Sequence, residues 1–307
     1  MKKLKTFLFI IILILTQRPV FASGLGADSL ENKSTIKKGR LALVAGTQSA
    51  IFLGGISYLN YVWYRDRPNM PFHFHNDTKG YKQMDKFAHA FVAYYESKLS
   101  YQSLRWAGLT KKQALWIGGP MGLLLQTPIE IFDGMHDGYG FSMNDMIANF
   151  SGSALFTAQQ AIFDEQKLKY KFSFYPSEYP KYHPRMLGEN VLENIIQDYN
   201  AHTYWLTLSI NEIHKTRLPD WLAISVGYSA NGLIGEFKNP ASFDGTPIPP
   251  LERYRQYFFS FDIDCTKIKT KHVMLKKVLN AVNVLKVPMP ALEYNRVQGF
   301  RAHAVYW

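Results

Sequence analysis

The feature that most limits the fold of this chain is a long uncharged stretch near its N-terminus. Residues 41–64 contain no charged side chain. About 20 apolar residues in an α-helix cross the hydrocarbon core of a bilayer. The stretch therefore predicts either a membrane-spanning helix or the buried core helix of a bundle. Gly46, Gly54 and Gly55 would let a neighbouring helix approach closely.

An apolar run ahead of this stretch has the parts of a secretory signal. Three lysines precede an uncharged run at residues 7–15, and small residues near position 22 suit a signal peptidase. The run is too short to span a bilayer. We expect residues 1–22 to be a signal peptide, the mature chain to begin near Ser23, and residues 23–38 to form a linker. A retained membrane anchor is the alternative.

Charge and cysteine content exclude some classes of protein. The formal net charge is +11, but the basic residues are spread thinly and form no dense patch with interleaved aromatics, so we expect no nucleic-acid binding. Attraction to anionic lipid is the more natural interpretation, with a merely solvated surface as the alternative. Cys265 is the only cysteine, which predicts no internal disulfide and no lipid-anchored N-terminus.

Apolar periodicity predicts three further helices after the uncharged stretch. They cover residues 84–106, 111–132 and 142–163, and Pro128 is expected to kink the second. Ser142 followed by Asp145 has the spacing of a capping box before an apolar run. Residues 39–165 are therefore expected to form a four-helix unit, which the membrane would embed if the uncharged helix spans it.

The pattern changes in residues 166–307. One more helical pattern covers residues 190–211, and the period then becomes two over residues 222–229 and 257–264, which predicts strands. Asn231-Gly232 is typical of a hairpin turn, and residues 301–307 also read as extended. The predicted fold class is α+β: a helical bundle followed by a smaller mixed unit with several antiparallel strands.

Polar side chains fall on one face of each of three predicted helices. Residues three, four or seven apart in a helix share a face, and ionisable groups on apolar helices usually face one another or a wet cavity. We therefore expect these stripes to point into one shared polar pocket. The three stripes are Asp85, His89 and Glu96; Gln126, Glu130 and Asp133; and Asp145, Asn149 and Gly152.

Two kinds of chemistry fit such a pocket. His89, Glu130 and Asp133 offer imidazole and carboxylate ligands for a divalent metal. Alternatively, Asp85 could orient His89 as a general base beside Glu130 as an acid. The alternative is a purely structural role, in which Asp145 only caps its helix and His89 is a core histidine.

Other acidic and histidine residues give weaker signals. His73 and His75 precede Asp77 in a proline-bounded segment, which favours an exposed loop over a metal site. Asp262 and Asp264 share a face of a predicted strand, and we expect that face to be solvated.

Three ordered motifs carry a family resemblance. They are Met84-Asp-Lys-Phe-Ala-His-Ala, Glu130-Ile-Phe-Asp-Gly, and Tyr139-Gly-Phe-Ser-Met-Asn-Asp with its continuation to Gly152. This pattern resembles the YfiM-like envelope proteins, often described as lipoproteins, and is similar to the VanZ-like membrane proteins. The stretches at 198–206, 254–264 and 286–295 look like those of the longer, Bacteroidota-type members.

The resemblance implies an envelope location and a set of shared motif residues, but no activity. Two of the motif residues shared with the family, Lys86 and Ser142, join Glu96, Gln126 and Asn149 as candidate binding residues. The candidate catalytic residues are Asp85, His89, Glu130, Asp133 and Asp145. Ala88 stands where the family pattern has Gly, and the lipoprotein cysteine is absent.

The sequence thus predicts an exported, membrane-associated protein of the cell envelope. If it is an enzyme, hydrolysis or transfer on a lipid-linked or cell-wall substrate fits best, with a divalent metal as the possible cofactor and membrane lipid as the expected partner. The alternative is a non-catalytic scaffold or lipid-binding protein. A third hypothesis places the C-terminal strands in the outer membrane, although they are few and weakly apolar outward. Which membrane is involved does not follow from the sequence.

Overall fold

The computed structural model describes residues 35–64 and 67–307. The predicted signal peptide and most of the predicted linker lie outside the described residues. The chain divides into a helical unit, which includes residues 35–78 and 86–166, and a sheet unit, which includes residues 79–85 and 167–307. The α+β class is confirmed, with packed N-terminal helices followed by an antiparallel sheet. The sheet unit is no smaller than the helical one.

The helical unit contains five α-helices within the described residues. They are α1 (Lys38–Tyr64), α2 (Met84–Trp106), α3 (Lys111–Gly118), α4 (Met121–Asp133) and α5 (Met143–Phe163). The helix predicted over residues 111–132 is thus two helices, which divide at Gly119-Pro120, and Pro128 lies inside α4. The break is favoured because Pro120 cannot donate a backbone hydrogen bond. At its other end, α3 begins with a capping box at Thr110.

Glycines bring α4 and α5 close to α2. A Cβ atom on Gly152 of α5 would lie 2.0 Å from the carbonyl oxygen of Ala90, and one on Gly122 of α4 would lie 2.0 Å from that of Ala93. The rings of Tyr94 and Phe156 fill the adjoining core, with their centroids 6.1 Å apart. Only glycine permits this backbone approach, so these positions set where the polar faces of α2, α4 and α5 meet.

Helix α1 behaves differently from the others. Within it only Val44 and Tyr64 are buried, although it is the described helix that is long and apolar enough to cross a membrane by length and composition. A Cβ atom added at Gly46, Gly54 or Gly55 would meet no neighbouring heavy atom within 4 Å among the described residues. The structure therefore does not show the expected close helix partner, nor the alternative of a buried core helix.

The sheet unit is built on one antiparallel sheet. Its strand order is β1-β2-β3-β6-β7-β8, and a small separate hairpin pairs β4 with β5. The strands are β1 (Leu168–Phe174), β2 (His202–Ser209), β3 (Leu222–Asn231), β4 (Ser242–Phe243), β5 (Thr246–Pro247), β6 (Tyr254–Ile263), β7 (Met289–Asn295) and β8 (Gly299–Tyr306).

Short helices connect these strands. They are α6 (Pro184–Leu187), α7 (Val191–Gln197), α8 (Ile210–Ile213) and α9 (Val273–Val282), with 3-10 turns at Gly80–Gln83, Tyr179–Lys181, Tyr199–Ala201 and Cys265–Lys267. The edge strand β1 is partly covered, because Phe172 exchanges backbone hydrogen bonds with Val284 and Lys286.

Two local predictions in this unit were wrong. The helix expected over residues 190–211 ends at Gln197, and its second half is strand β2, whose Thr, Tyr and Trp side chains suit a pleated sheet. Asn231-Gly232 does not form a tight hairpin, because β3 pairs with β6 across a connection of residues 232–253. Gly232 nevertheless has a positive φ of 75°, as a turn glycine does.

The polarity of the sheet is also the reverse of the expected one. Asp262 and Asp264 do not lie on a solvated face: both are fully buried. Lys171 Nζ lies 3.0 Å from Asp262 Oδ2, and Lys169 Nζ lies 2.6 Å from Asp264 Oδ2. A buried carboxylate requires such a partner, so the charged side of the sheet forms its interior.

Candidate functional site

Side chains from α2, α4 and α5 meet around His89 in the helical unit. His89 Nδ1 lies 3.6 Å from Glu130 Oε1, and His89 Nε2 lies 3.8 Å from Asp145 Oδ1. The side chain of His89 is 17% exposed and that of Glu130 is fully buried. Of the expected residues, these three are therefore brought together, and His89 is the most accessible of them.

Asn149 orients the imidazole of His89. Its Oδ1 lies 3.2 Å from His89 Nδ1. An amide oxygen only accepts hydrogen bonds, so with this amide orientation Nδ1 carries the proton and donates it. The other ring nitrogen, Nε2, is then a proton acceptor directed toward Asp145. This tautomer is the one that a general base at Nε2 requires.

Lys86 lies on the other side of Asp145. Its Nζ is 2.7 Å from Asp145 Oδ1 and 2.5 Å from Asp77 Oδ2. The contact with Asp145 is an ion pair by distance, and Asp145 Oδ1 accepts no hydrogen bond among the described residues. Lys86 thus bridges two carboxyl groups through its charge.

Asp77 is a member of this cluster that the sequence did not identify. It is buried, not in an exposed loop, and its Oδ1 accepts a hydrogen bond of 2.7 Å from Ser142 Oγ. The segment before α2 is held against the turn before α5, because His75 N donates to the carbonyl of Phe141 over 3.0 Å. No helical periodicity marks Asp77, which is why pattern reasoning passed over it.

Ser142 begins α5 as predicted. Its hydroxyl accepts a hydrogen bond of 3.1 Å from Asp145 N, which is the N-cap interaction. Its backbone N–H lies 3.4 Å from Glu130 Oε2. Asp145, however, does more than occupy a capping position, since its carboxyl group faces His89 and Lys86.

Two carboxyl groups of the cluster hold protons more strongly than usual. Burial raises the pKa of Glu130, and the nearby carboxylates of Asp145 and Asp133 raise it further. Burial likewise raises the pKa of Asp145, against the opposing charges of His89 and Lys86. Asp77 is opposite: although burial raises its pKa, hydrogen bonds with Asp145, Lys86 and Ser142 bring it down to about 2. The cluster therefore combines one carboxyl group of lowered pKa, Asp77, with two of raised pKa, Glu130 and Asp145.

Asp133 and the pair Glu96–Gln126 have other contacts. Asp133 accepts a hydrogen bond from Tyr64, and burial raises its pKa to about 7. Gln126 Nε2 donates to Glu96 Oε2 over 2.9 Å, and burial raises the pKa of Glu96 to about 8. Asp85 is buried in the first turn of α2. Its predicted role of orienting His89 stays a prediction.

The cluster has donor atoms that suit a metal ion. One ligand atom from each of His89, Glu130 and Asp145 lies within 4.8 Å of the others. Glu130 Oε1 and Asp145 Oδ1 are buried and accept no hydrogen bond within the described residues. Asp145, rather than the predicted Asp133, completes this group. One imidazole and two carboxylates are a ligand set used by Zn²⁺ and Mn²⁺, although the Lys86 ammonium beside Asp145 would oppose a cation.

Comparison with known proteins supports the prediction that this chain is an exported, membrane-associated protein of the cell envelope. Residues 73–160 match the model of DUF2279, a family described as predicted periplasmic lipoprotein. The YfiM-like resemblance is confirmed over this range, which includes the cluster around His89. No curated protein and no solved structure matches the chain.

The family description names a lipoprotein, and the sequence differs from it in one respect. Cys265 is the only cysteine in the sequence, and it is buried in the sheet unit. The apolar helix α1 is the element of the described chain whose length and composition suit a membrane.

Proposed function

We propose that the helical unit is an acid–base centre that hydrolyses or transfers a group on a lipid-linked or cell-wall molecule. In this proposal His89 Nε2 accepts a proton from the attacking water or hydroxyl group. Asp145 and Glu130, which face the two ring nitrogens of His89, supply a proton to the leaving group. A lipid-linked substrate is favoured because the protein is associated with the envelope membrane.

The observation that carries this proposal is the position of His89 between two buried carboxyl groups, both with raised pKa values. Its ring nitrogens lie 3.6 Å from Glu130 and 3.8 Å from Asp145, which is near hydrogen-bond distance without a hydrogen bond. Groups whose surroundings push their pKa values apart are typical of acid–base sites. Lys86 and Asp77 hold Asp145 in place, and Asn149 fixes the imidazole tautomer.

Complementation of a deletion strain tests the proposal. His89→Ala and Glu130→Gln proteins should reach the envelope at normal levels and with normal thermal stability, yet fail to restore the phenotype. His214→Ala and Glu189→Gln change the same residue types at exposed positions away from the cluster and should restore it. If the cluster variants lose stability but still complement the deletion, the polar residues are structural and the protein is a non-catalytic scaffold.

The donor atoms favour a divalent metal as a second candidate. A metal ion would neutralise the buried carboxylates of Glu130 and Asp145 in place of their protons. Titration of the purified protein with Zn²⁺ or Mn²⁺ should then raise its melting temperature, and more so at higher pH. Lys86→Met should strengthen the effect and His89→Ala should abolish it. Equal increases in melting temperature for the parent, Lys86→Met and His89→Ala proteins would contradict a metal at this cluster.

A further inference from the structure

One face of the six-stranded sheet is largely apolar, with Arg255 of β6 as a polar exception. In the cross-strand register Val226 pairs with Phe259, Phe259 with Leu292, and Tyr257 with Tyr294. The exposed fraction is 56% at Val226, 47% at Phe259 and 44% at Leu292. We call the exposed set the outer apolar face: Val226, Tyr257, Phe259, Phe261, Leu292, Tyr294 and Phe300.

The opposite face carries the polar groups, and it is buried. Lys171 and Asp262 pair with no exposed surface at all. Asp262 Oδ2 also accepts hydrogen bonds from Thr207 and Ser225, so the charge is satisfied inside the sheet. The sheet curls around this face, since the ring of Tyr306 in β8 lies 5.9 Å from that of Trp205 in β2.

This polarity is the reverse of that of a sheet in water. An antiparallel sheet with one solvated face normally places apolar residues inward and polar residues outward. Burying ion pairs while exposing aromatic rings is costly in water, because desolvation of the charges and hydration of the rings both oppose it. In contact with hydrocarbon the exposed rings are favourable, and the inward charges avoid the lipid.

The connection between β6 and β7 supplies a charge that suits lipid headgroups. Residues 267–277 contain five lysines and no acidic residue. Helix α9 begins within this stretch, with Val273, Met274 and Val278 exposed beside Lys277. A short helix with exposed apolar residues and neighbouring lysines is typical of segments that lie in the interface of an anionic bilayer.

We propose that the outer apolar face and α9 rest on a phospholipid bilayer, with the aromatic rings at the boundary between headgroups and acyl chains. Contact at the interface is favoured over crossing, because β8 ends the strand order, β1 is only partly covered, and open edges are not stable within hydrocarbon. The proposal concerns the sheet unit and is independent of the acid–base centre.

Depth-dependent quenching tests this contact in the full chain. The variants Phe259→Cys and Leu292→Cys are each made in a Cys265→Ala background and labelled at the new cysteine with an environment-sensitive fluorophore. The labelled proteins are then reconstituted with phosphatidylethanolamine–phosphatidylglycerol vesicles. Both labels should shift to shorter wavelength and lose several-fold more fluorescence with acyl-chain doxyl lipid than a label at exposed Ser242. Near-UV circular dichroism checks that each variant is folded. If Phe259→Cys misfolds, the result from Leu292→Cys decides the test.

Two results would overturn the proposal. Labels at Phe259 and Leu292 that respond to doxyl lipid no more than the Ser242 label would show that this face does not meet lipid. Efficient disulfide crosslinking between two Phe259→Cys copies, together with protection from doxyl lipid, would show that a second copy of the chain covers the face.

Discussion

At the scale of single residues, burial changes the pKa of a carboxyl group that lies away from the centre of the cluster. Glu96 accepts a hydrogen bond from Gln126, and burial raises its pKa from 4.5 to about 8. The folded protein therefore keeps a proton that the unfolded chain releases between these two pH values. Stability from this group is fully present below pH of about 4.5 and is lost as the pH rises toward 8.

Glu96→Gln should remove that pH dependence. The free energy of unfolding of the parent protein should fall between pH 5 and 8 with a slope of at most about 1.4 kcal/mol per pH unit from this group. Denaturant unfolding at several pH values measures it, with exposed Glu189→Gln as the matched control. An unchanged slope in Glu96→Gln would contradict the raised pKa.

At the scale of elements, close helix contacts position the cluster. Gly152→Ala would place a Cβ atom against the carbonyl of Ala90, forcing α5 away from α2 and destabilising the protein by about 1–3 kcal/mol. Gly46→Ala has open space around it and should be neutral or slightly stabilising. Thermal unfolding of both variants checks the contrast, and equal melting temperatures would argue against this packing.

Sequence patterns predicted helices better than strands in this chain. The ends of α2 and α5 follow from apolar periodicity and from Ser142, because local spacing and capping decide them. Strand β2 was missed because its buried face depends on partners in β1 and β3 that are distant in sequence. The polarity of β6 was misjudged since a period of two shows alternation but not which side is inward.

The candidate site shows the same limit. Helical spacing placed His89, Glu130 and Asp145 on inward faces, and the structure brings these three together. Asp77 comes from an irregular segment whose position depends on backbone pairing with residues near Phe141, which has no periodic signal. Spacing also grouped Asp133 with Glu130 but could not show that Tyr64 would be its hydrogen-bond partner.

At the scale of the whole molecule, α1 is expected to decide how firmly the protein is held in the membrane. Ile51 and Leu53 are exposed apolar residues in the middle of this helix. Replacing both with Arg should cost about 2.5–3.5 kcal/mol per residue in a membrane-spanning helix. The variant should therefore become extractable by alkaline carbonate, whereas the parent stays in the membrane pellet.

A matched control separates this effect from general damage. Trp116→Arg places the same charge on an exposed apolar position of α3 and should leave the protein in the pellet. Carbonate extraction of the parent chain itself would contradict a membrane-spanning α1.

The strand order has a consequence for how the sheet unit assembles. Each neighbour in β1-β2-β3-β6-β7-β8 is the next strand of the main sheet along the chain, so every pairing can form without waiting for a distant segment. Such local pairing closes small loops and favours rapid folding. The exception is the cover of β1 by Val284 and Lys286, which joins the first strand to a segment near the end of the chain. Assembly can therefore proceed strand by strand, and β1 can be covered before β7 and β8 add to the other edge.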